Sequence, residues 1–527
     1  MTPTKKILLA AGALLVVFAA YVGVRIAFLK GDLEHALTQV QRSQAAGDKQ
    51  DFKALSDYLH VVAKDANSAN AIAHDPLLAF LNVVPGVGDS WIAIAHTTHA
   101  VASIANTAEP TFRYAMALQD DVAKSGTIDG KSARALRDAF IPLQKAIAES
   151  SADLATVDTQ KVGFGLAPKI KQLQNLLSDA STLTSNAEDY VKAFAAVVSE
   201  PGDSYWMIAT QNLAEARGTG GLFGAYAVIH NKDGKLSLND SGSDAKAIAA
   251  GPIDNRALPK DLVRYYGIDG NLWLDFNVSA HLPQSGQIIQ DTWKKNHDLV
   301  LDGVLFIGQG GLRHISAATG PVKIRGKIID SANVADYMAK TIYADFPDVN
   351  KKNDFVQRLM KSMFSKFLTG AFDLKGVLQS FAEEPTGDRV AVWSADPELQ
   401  TENDKLGISG AVTDTPGSNV WVTVNNAGGN KLDAYLKLSV TYTQGKCGVI
   451  SKTGYLGRES KLTIKVKNTA PRRGLPAYVT PRLDLPAGYP YIKGDSRDLI
   501  TIYAPVGSTD NGITKDGDLW GASFSSE

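Results

Sequence analysis

The chain has 527 residues, 44% hydrophobic and 21% charged, which is ordinary for globular material but too long for one domain of the usual ~100–200 residues. Its 54 lysines and arginines nearly balance 55 aspartates and glutamates, which argues against a polybasic nucleic-acid binder, though a local basic face can hide inside that balance. The single cysteine, Cys447, excludes a disulfide framework within the chain and any metal site built on two or four cysteines.

The N-terminus sets Lys5 and Lys6 before an apolar run over residues 7–24; Arg25 interrupts the run and residues 26–29 extend it. At ~1.5 Å rise per residue the run reaches ~27 Å, close to the ~30 Å hydrocarbon core. A transmembrane helix is expected, with Arg25 snorkelling toward the far interface. Lys5 and Lys6 place the tip in the cytoplasm by the positive-inside rule, against an opposing signal from Arg25 and Lys30. A cleaved signal peptide is the alternative, but its apolar region is usually shorter and no small-residue cleavage site follows this run. No other stretch is long and apolar enough to span, so the bulk of the chain is expected on the extracytoplasmic side of the plasma membrane.

From residue 31 to about 200 the apolar residues recur at helical spacing, as in Leu33, Leu37 and Val40, then Phe52, Leu55, Leu59 and Val62. Breaks are expected at 82–89, where Pro85 and two glycines interrupt the pattern, at 125–130 and at 163–165. The pattern predicts antiparallel helical hairpins forming a bundle or stalk. His96 and His99 stand three apart, a spacing that can put two metal ligands on one helix face. No third ligand beyond Asp89 accompanies them, and a surface pair or one lining the bundle is the expected role.

The texture changes at Pro201-Gly202. A buried strand is expected over 204–210, a polar glycine-rich connection over 211–221, and a second strand over 223–230 leading through the turn at 231–234 into a third. Helices are expected at 284–296, 332–343, 353–369, 374–381 and 397–405, and strands at 301–307 and 389–394. Such mixing predicts an α/β or α+β domain. Farther on, β-branched and aromatic segments at 420–424, 435–442, 461–467 and 499–503, with Gly and Pro turns between them, suggest a β-sandwich short of strands. The expected fold is thus multidomain α+β, with an anchor and cytoplasmic tip (1–30), a helical bundle or stalk (31–200), a central mixed domain (201–410) and a β-sandwich-like domain (411–527).

The segment from Tyr205 to Leu238, YWMIATQNLAEARGTGGLFGAYAVIHNKDGKLSL, resembles the family labelled domain of unknown function 4012, found in bacterial cell-envelope proteins with many actinobacterial members. Gln211, Asn212, Glu215, Arg217, Thr219, Gly220 and Gly221 match its Q-N-x-x-E-x-R-x-T-G-G signature residue by residue. The blocks LDFNVSAHLPQSGQIIQDTW, LDGVLFIGQGGLRHISAATGPVKI and VWSADPELQ follow in the family's order, so the resemblance extends over nearly the whole chain. It implies an envelope location and no established reaction. A fainter similarity, in the order strand, Arg-containing motif, helix and Asp-Gly-Val strand, is to LytR–CpsA–Psr enzymes, membrane-anchored proteins that transfer lipid-pyrophosphate-linked glycopolymers to peptidoglycan. The chain lacks their usual Ser-x-Pro-Arg-Asp element.

The motif's residue types suit two roles. Asn212 both donates and accepts, Glu215 can take a proton or a cation, Arg217 offers a planar fork for phosphate or carboxylate, and Thr219-Gly220-Gly221 lets backbone amides approach a ligand. Equally, Glu215 and Arg217 can form a buried pair while the glycines serve a tight turn. It is not a dinucleotide loop, because its glycines lead into a strand and not a helix N-terminus. Asp275 and Asp302, with Arg313 and Arg325 near them in sequence, can form a carboxylate–arginine cluster for a pyrophosphate with Mg²⁺. Asp302 can also be a simple turn residue before Gly303. No cofactor is implied with certainty, and Mg²⁺ belongs only to a phosphotransferase reading. The leading expectation is a binding or assembly module for cell-wall glycopolymer or its lipid-linked precursor. The alternatives are a metal-assisted phosphotransferase and a structural protein that meets other envelope proteins.

Overall fold

A computed structural model of the chain describes most of residues 21–42 and 52–519; 126, 200–201, 254–257, 259, 267–272, 369–375, 378–379, 382–389, 413–419, 451–455 and several positions between 472 and 517 are excepted. The chain is mixed α+β, helical in its N-terminal region and sheet-rich toward the C-terminus. It divides into two compact units, one of residues 1–204, 230–237 and 368–387, the other of 205–229, 238–367 and 388–527. The expected anchor lies almost wholly outside the described residues. Residues 24–32 are helical, and among the described residues no helix is long and apolar enough to cross a membrane. Arg25 donates to the Asp75 carboxylate at 2.8 Å.

The first unit is built on four helices: α1 (Phe52–Ala73), α2 (Gly88–Ser125), α3 (Gly130–Ala155) and α4 (Ala167–Ser199). Helices consecutive in the chain pack together, as short connections favour. The sequence punctuation falls where it was expected. A 3₁₀ turn and Gly86 precede α2, Asp129 caps α3 by accepting from the Ser132 amide, and Phe164 and Gly165 take left-handed backbone before α4. The interior is largely Ala and Leu, with Ala93, Ala100, Leu154, Ile170 and Leu177 in one cluster. Small residues let such helices approach closely.

The second unit is organised by a five-stranded sheet: β1 (Asp203–Arg217), β2 (Gly220–Lys232), β3 (Lys235–Ser243), β4 (Gly303–Ile307) and β5 (Val390–Ser394), in spatial order β3-β2-β1-β4-β5. β1 runs parallel to β4 from Trp206 to Thr210, and β4 antiparallel to β5. β3 leads into the short α5 (Asp244–Ala250), and the crossover to β4 contains α6 (Leu282–His297). Its Ile288, Ile289 and Trp293 cluster with Met207, Phe223, Tyr226, Phe276, Val304 and Trp393. Tyr226 and Trp293 meet edge-on at 5.0 Å, and Trp273 packs on Phe223 at 5.9 Å, so one sheet face is sealed by aromatics. The mixed part also contains α7 (Gln309–Thr319), α8 (Val349–Leu368) and α9 (Pro397–Leu406), with shorter helical segments at Lys260–Tyr266 and 334–345.

The longer C-terminal strands are β6 (Trp421–Asn426), β7 (Leu436–Ile450), β8 (Leu456–Asn468) and β9 (Asp498–Tyr503). Among the described residues they pair two by two, β6 with β9 and β7 with β8. They form one short pair and one long ribbon, and residues 514–519 add a minimal third pair, so the C-terminal part is sheet-rich. Composition predicts strands, but pairing depends on long-range partners that composition does not name.

Candidate functional site

Residues 211–217, expected as a loop, are the second half of β1. The strand pairs with β4 only as far as Thr210. Beyond that point its free edge must find other hydrogen-bond acceptors, because a buried amide left unpaired is costly. They come from side chains, at a period of two. The Ala214 amide donates to Asn212 Oδ1 at 2.9 Å, the Ala216 amide to Asp433 Oδ2 at 2.6 Å, and the Gly218 amide to Asn425 Oδ1 at 2.9 Å. The motif therefore has a backbone cause: it is where a strand outruns its neighbour and is held by polar side chains.

The motif's own polar groups are held in the same way. Arg217 is buried and donates to the carbonyls of Leu274 and Ala216 at 2.9 Å and to Asp275 Oδ1 at 3.2 Å. Burial pushes the Asp275 carboxyl up, and the Arg217 charge opposes that rise. Glu215 is buried too, but its partner is Lys431, whose Nζ lies 2.6 Å from Oε1. The expected Glu215–Arg217 pair is thus replaced by two separate pairs. Asn212 donates to Tyr343 Oη at 3.1 Å and to the Met338 carbonyl at 3.3 Å. Thr219 Oγ1 accepts from Gln211 at 2.5 Å and from Asn277 at 2.9 Å, and Asn277 also donates to the Gly221 carbonyl.

The glycines admit protein backbone. A Cβ on Gly218 would lie 2.0 Å from the Val278 carbonyl oxygen, and one on Gly221 would lie 2.5 Å from that of Asn212. Gly220 carries φ +141° and brings its Cα edge against the Gln211 amide. The close approach expected for a ligand is occupied by the chain itself.

A further set of buried charges surrounds Glu215. Burial pushes the Asp244 carboxyl up against the pull of Lys352, and burial pushes the Lys352 amine down against the pull of Asp244. Lys352 Nζ also stands 5.6 Å from the centre of the Tyr343 ring. Asp433 is held by the Ala216 amide and by Asn426, yet burial and the nearby Asp498 push it up to about 7. Asn277, Tyr343, Lys352, Asn425, Lys431 and Asp433 were not singled out from sequence. The one available signal was the polar run Asn425-Asn426 through Asn430-Lys431 following a β-branched strand.

The remaining candidates do not join this cluster. Asp302 accepts from the Tyr205 amide at 2.6 Å, and its own amide donates to the Tyr205 carbonyl at 2.8 Å. It therefore pins the start of β1, and the twelve residues from there to Arg217 span ~40 Å of strand. Arg325, in a left-handed turn between two short strands, pairs with Asp354 at 2.5 Å on the surface. Arg313 lies on α7. Asp275 and Asp302 therefore cannot share one Mg²⁺, and among the described residues no group of three or more His, Cys, Asp or Glu side chains is placed to hold a metal ion. In the helical unit, His96 pairs with Asp153 at 2.7 Å while His99 meets the His74 ring edge-on, around a cavity of about 330 Å³.

Residues 201–343 match the model of a family described as protein of unknown function, DUF4012. That span holds the motif, Asp275, Asp302, Arg313 and Arg325, and is narrower than the near-complete resemblance read from sequence. No curated protein and no solved structure matches the chain.

Proposed function

We propose that this chain, which carries a DUF4012 domain in residues 201–343, is a membrane-anchored, extracytoplasmic protein of the cell envelope. It works as a binding or assembly module for a cell-wall glycopolymer or that polymer's lipid-linked precursor. The apolar run over residues 7–24 behind Lys5 and Lys6 supports the anchor. The observation that carries the scaffold reading over a catalytic one is the engagement of Arg217 and Glu215 with Leu274, Asp275 and Lys431. A phosphotransferase needs arginines and carboxylates turned toward a reacting phosphate. Here those groups act as a clasp that fixes the end of β1.

The test compares Arg217→Ala and Arg217→Lys by thermal unfolding and by glycopolymer binding. Leaving the half-buried Asp275 carboxylate and the Leu274 and Ala216 carbonyls without their donor should cost up to ~3–5 kcal/mol in Arg217→Ala. Arg217→Lys should lose part of that stability, since lysine cannot serve two carbonyls and a carboxylate with one planar fork, while binding by the folded fraction stays at the wild-type level. Release of lipid phosphate from a lipid-pyrophosphate-linked glycan with Mg²⁺, abolished in a folded Arg217→Lys protein, would overturn the scaffold reading in favour of the enzyme.

A further inference from the structure

The β7–β8 ribbon concentrates charge in an otherwise neutral chain. Between residues 436 and 468 there are seven lysines and arginines against one acidic residue, Glu459. The cross-strand register sorts them. Leu438 faces Val466, Val440 faces Ile464 and Tyr442 faces Leu462 on one side of the ribbon. On the other side Lys437 faces Lys467, Ser439 faces Lys465, Thr441 faces Thr463 and Thr443 faces Lys461. The second face is therefore four lysines set among hydroxyls, and all four lysines are exposed.

Lys437 opposite Lys467 is an unfavourable arrangement by itself, since like charges in a cross-strand pair destabilise a ribbon. Among the described residues, none of the four lysines has a carboxylate partner. An anion lying along the face removes that repulsion. Lys465 and Lys467 are two residues apart, ~7 Å along the strand, and Lys461 to Lys467 spans ~20 Å. This is a row of point charges suited to a repeating anion and not to a single small one. The face carries no aromatic ring on which a base could stack, which separates it from single-stranded nucleic-acid platforms. It also carries no apolar group to enter a bilayer, because the apolar side chains lie on the opposite face.

We infer that the Lys437/Lys461/Lys465/Lys467 face of the ribbon is a docking surface for an extended polyanion, a polymer bearing phosphate or carboxylate groups at regular intervals. This deepens the function proposed above by giving the partner its charge and the face that meets it. The salt dependence of probe binding does not depend on where the protein resides, so failure here removes the face and leaves the envelope reading to the topology experiment.

The test uses the full chain in non-ionic detergent. Its probes are inorganic polyphosphate, poly-glutamate, neutral dextran and phosphatidylglycerol vesicles, each titrated over a range of salt. Polyphosphate, poly-glutamate or both should bind, more weakly as salt rises, and dextran should not; the first two arms tell phosphate from carboxylate. Changing all four lysines to Gln should lower polyanion affinity at least ~10-fold and reduce the slope of log affinity against log salt by about 3, at ~0.7 per contact. Four exposed lysines of the helical unit, Lys145, Lys161, Lys169 and Lys171, changed to Gln should leave binding within twofold. Changing the ribbon lysines to Arg should preserve both affinity and slope, which separates lost charge from lost folding. Wild-type affinity in the Gln variant, loss of binding in the Arg variant, no binding to either polyanion, or binding to vesicles alone would each overturn the proposal.

Discussion

Asp433 shows how one side chain can set the pH response of a whole unit. Its Oδ2 takes the Ala216 amide and Asn426 Nδ2, while its Oδ1 and the Oδ1 of the neighbouring Asp498 are both buried with no N–H or O–H donor against them. A single proton shared by the two carboxyls satisfies both oxygens. Burial raises both groups, and Asp433 reaches about 7 from an ordinary 3.8. The sign follows from linkage. Between those two values the native state holds a proton that the unfolded chain has released, so stability falls as pH rises from about 4 to 7. A tenfold change in the proton-binding constant between the two states is worth about 1.4 kcal/mol. Asp433→Asn keeps the acceptor for Ala216 and donates where the proton was. It should therefore stabilise the protein at pH 8 and flatten the slope between pH 4 and 7. Denaturant titrations of both proteins across that range measure this, and equal slopes would remove Asp433 as the source.

At the scale of elements, the decisive feature is the half of β1 that outlasts β4. Asn425 joins it to the adjoining chain, accepting from the Gly218 amide and donating to the Val278 carbonyl at 3.1 Å. Asn425→Ala leaves the half-buried Gly218 amide and the buried Val278 carbonyl without this partner, a loss of about 1–3 kcal/mol for each stranded group. Denaturation midpoints should fall accordingly, and hydrogen exchange at the Gly218 amide should accelerate. Unchanged exchange there would mean that another acceptor had replaced Asn425. The same strand shows why the motif was only half legible. Its residue types marked Asn212, Glu215, Arg217 and Thr219 as polar groups in need of partners, either a ligand or one another. Lys431, which pairs with Glu215, and Asn425 and Asp433, which accept from the Gly218 and Ala216 amides, lie more than two hundred residues away, and local spacing carries no record of such pairing. Gln, Asn, Glu and Gly also read as loop because strand propensity disfavours several of them, whereas here tertiary acceptors hold them extended. Helix punctuation at Asp129, Phe164 and Gly165 was readable because caps and left-handed turns are decided within a few residues.

For the whole molecule, the charge balance and the sidedness of the chain make different demands. A net charge near zero hides a ribbon with a strongly basic face, so the average says little about what any one surface meets. The proposed sidedness rests on residues 7–24 and on the lysines ahead of them, and the ribbon offers a means to test it. Cys447 is the chain's single cysteine; it is exposed on β7, with Arg458 Nη2 2.7 Å from its sulfur. A membrane-impermeant maleimide therefore needs no unfolding step to reach it. If residues 7–24 anchor the chain with its bulk outside, intact cells should be labelled as fully as permeabilised ones, and Cys447→Ser should abolish the signal. Labelling confined to permeabilised cells would reverse the orientation. Labelling of protein recovered from the medium, with the N-terminal run removed, would replace the anchor by a cleaved signal and leave the exported side unchanged.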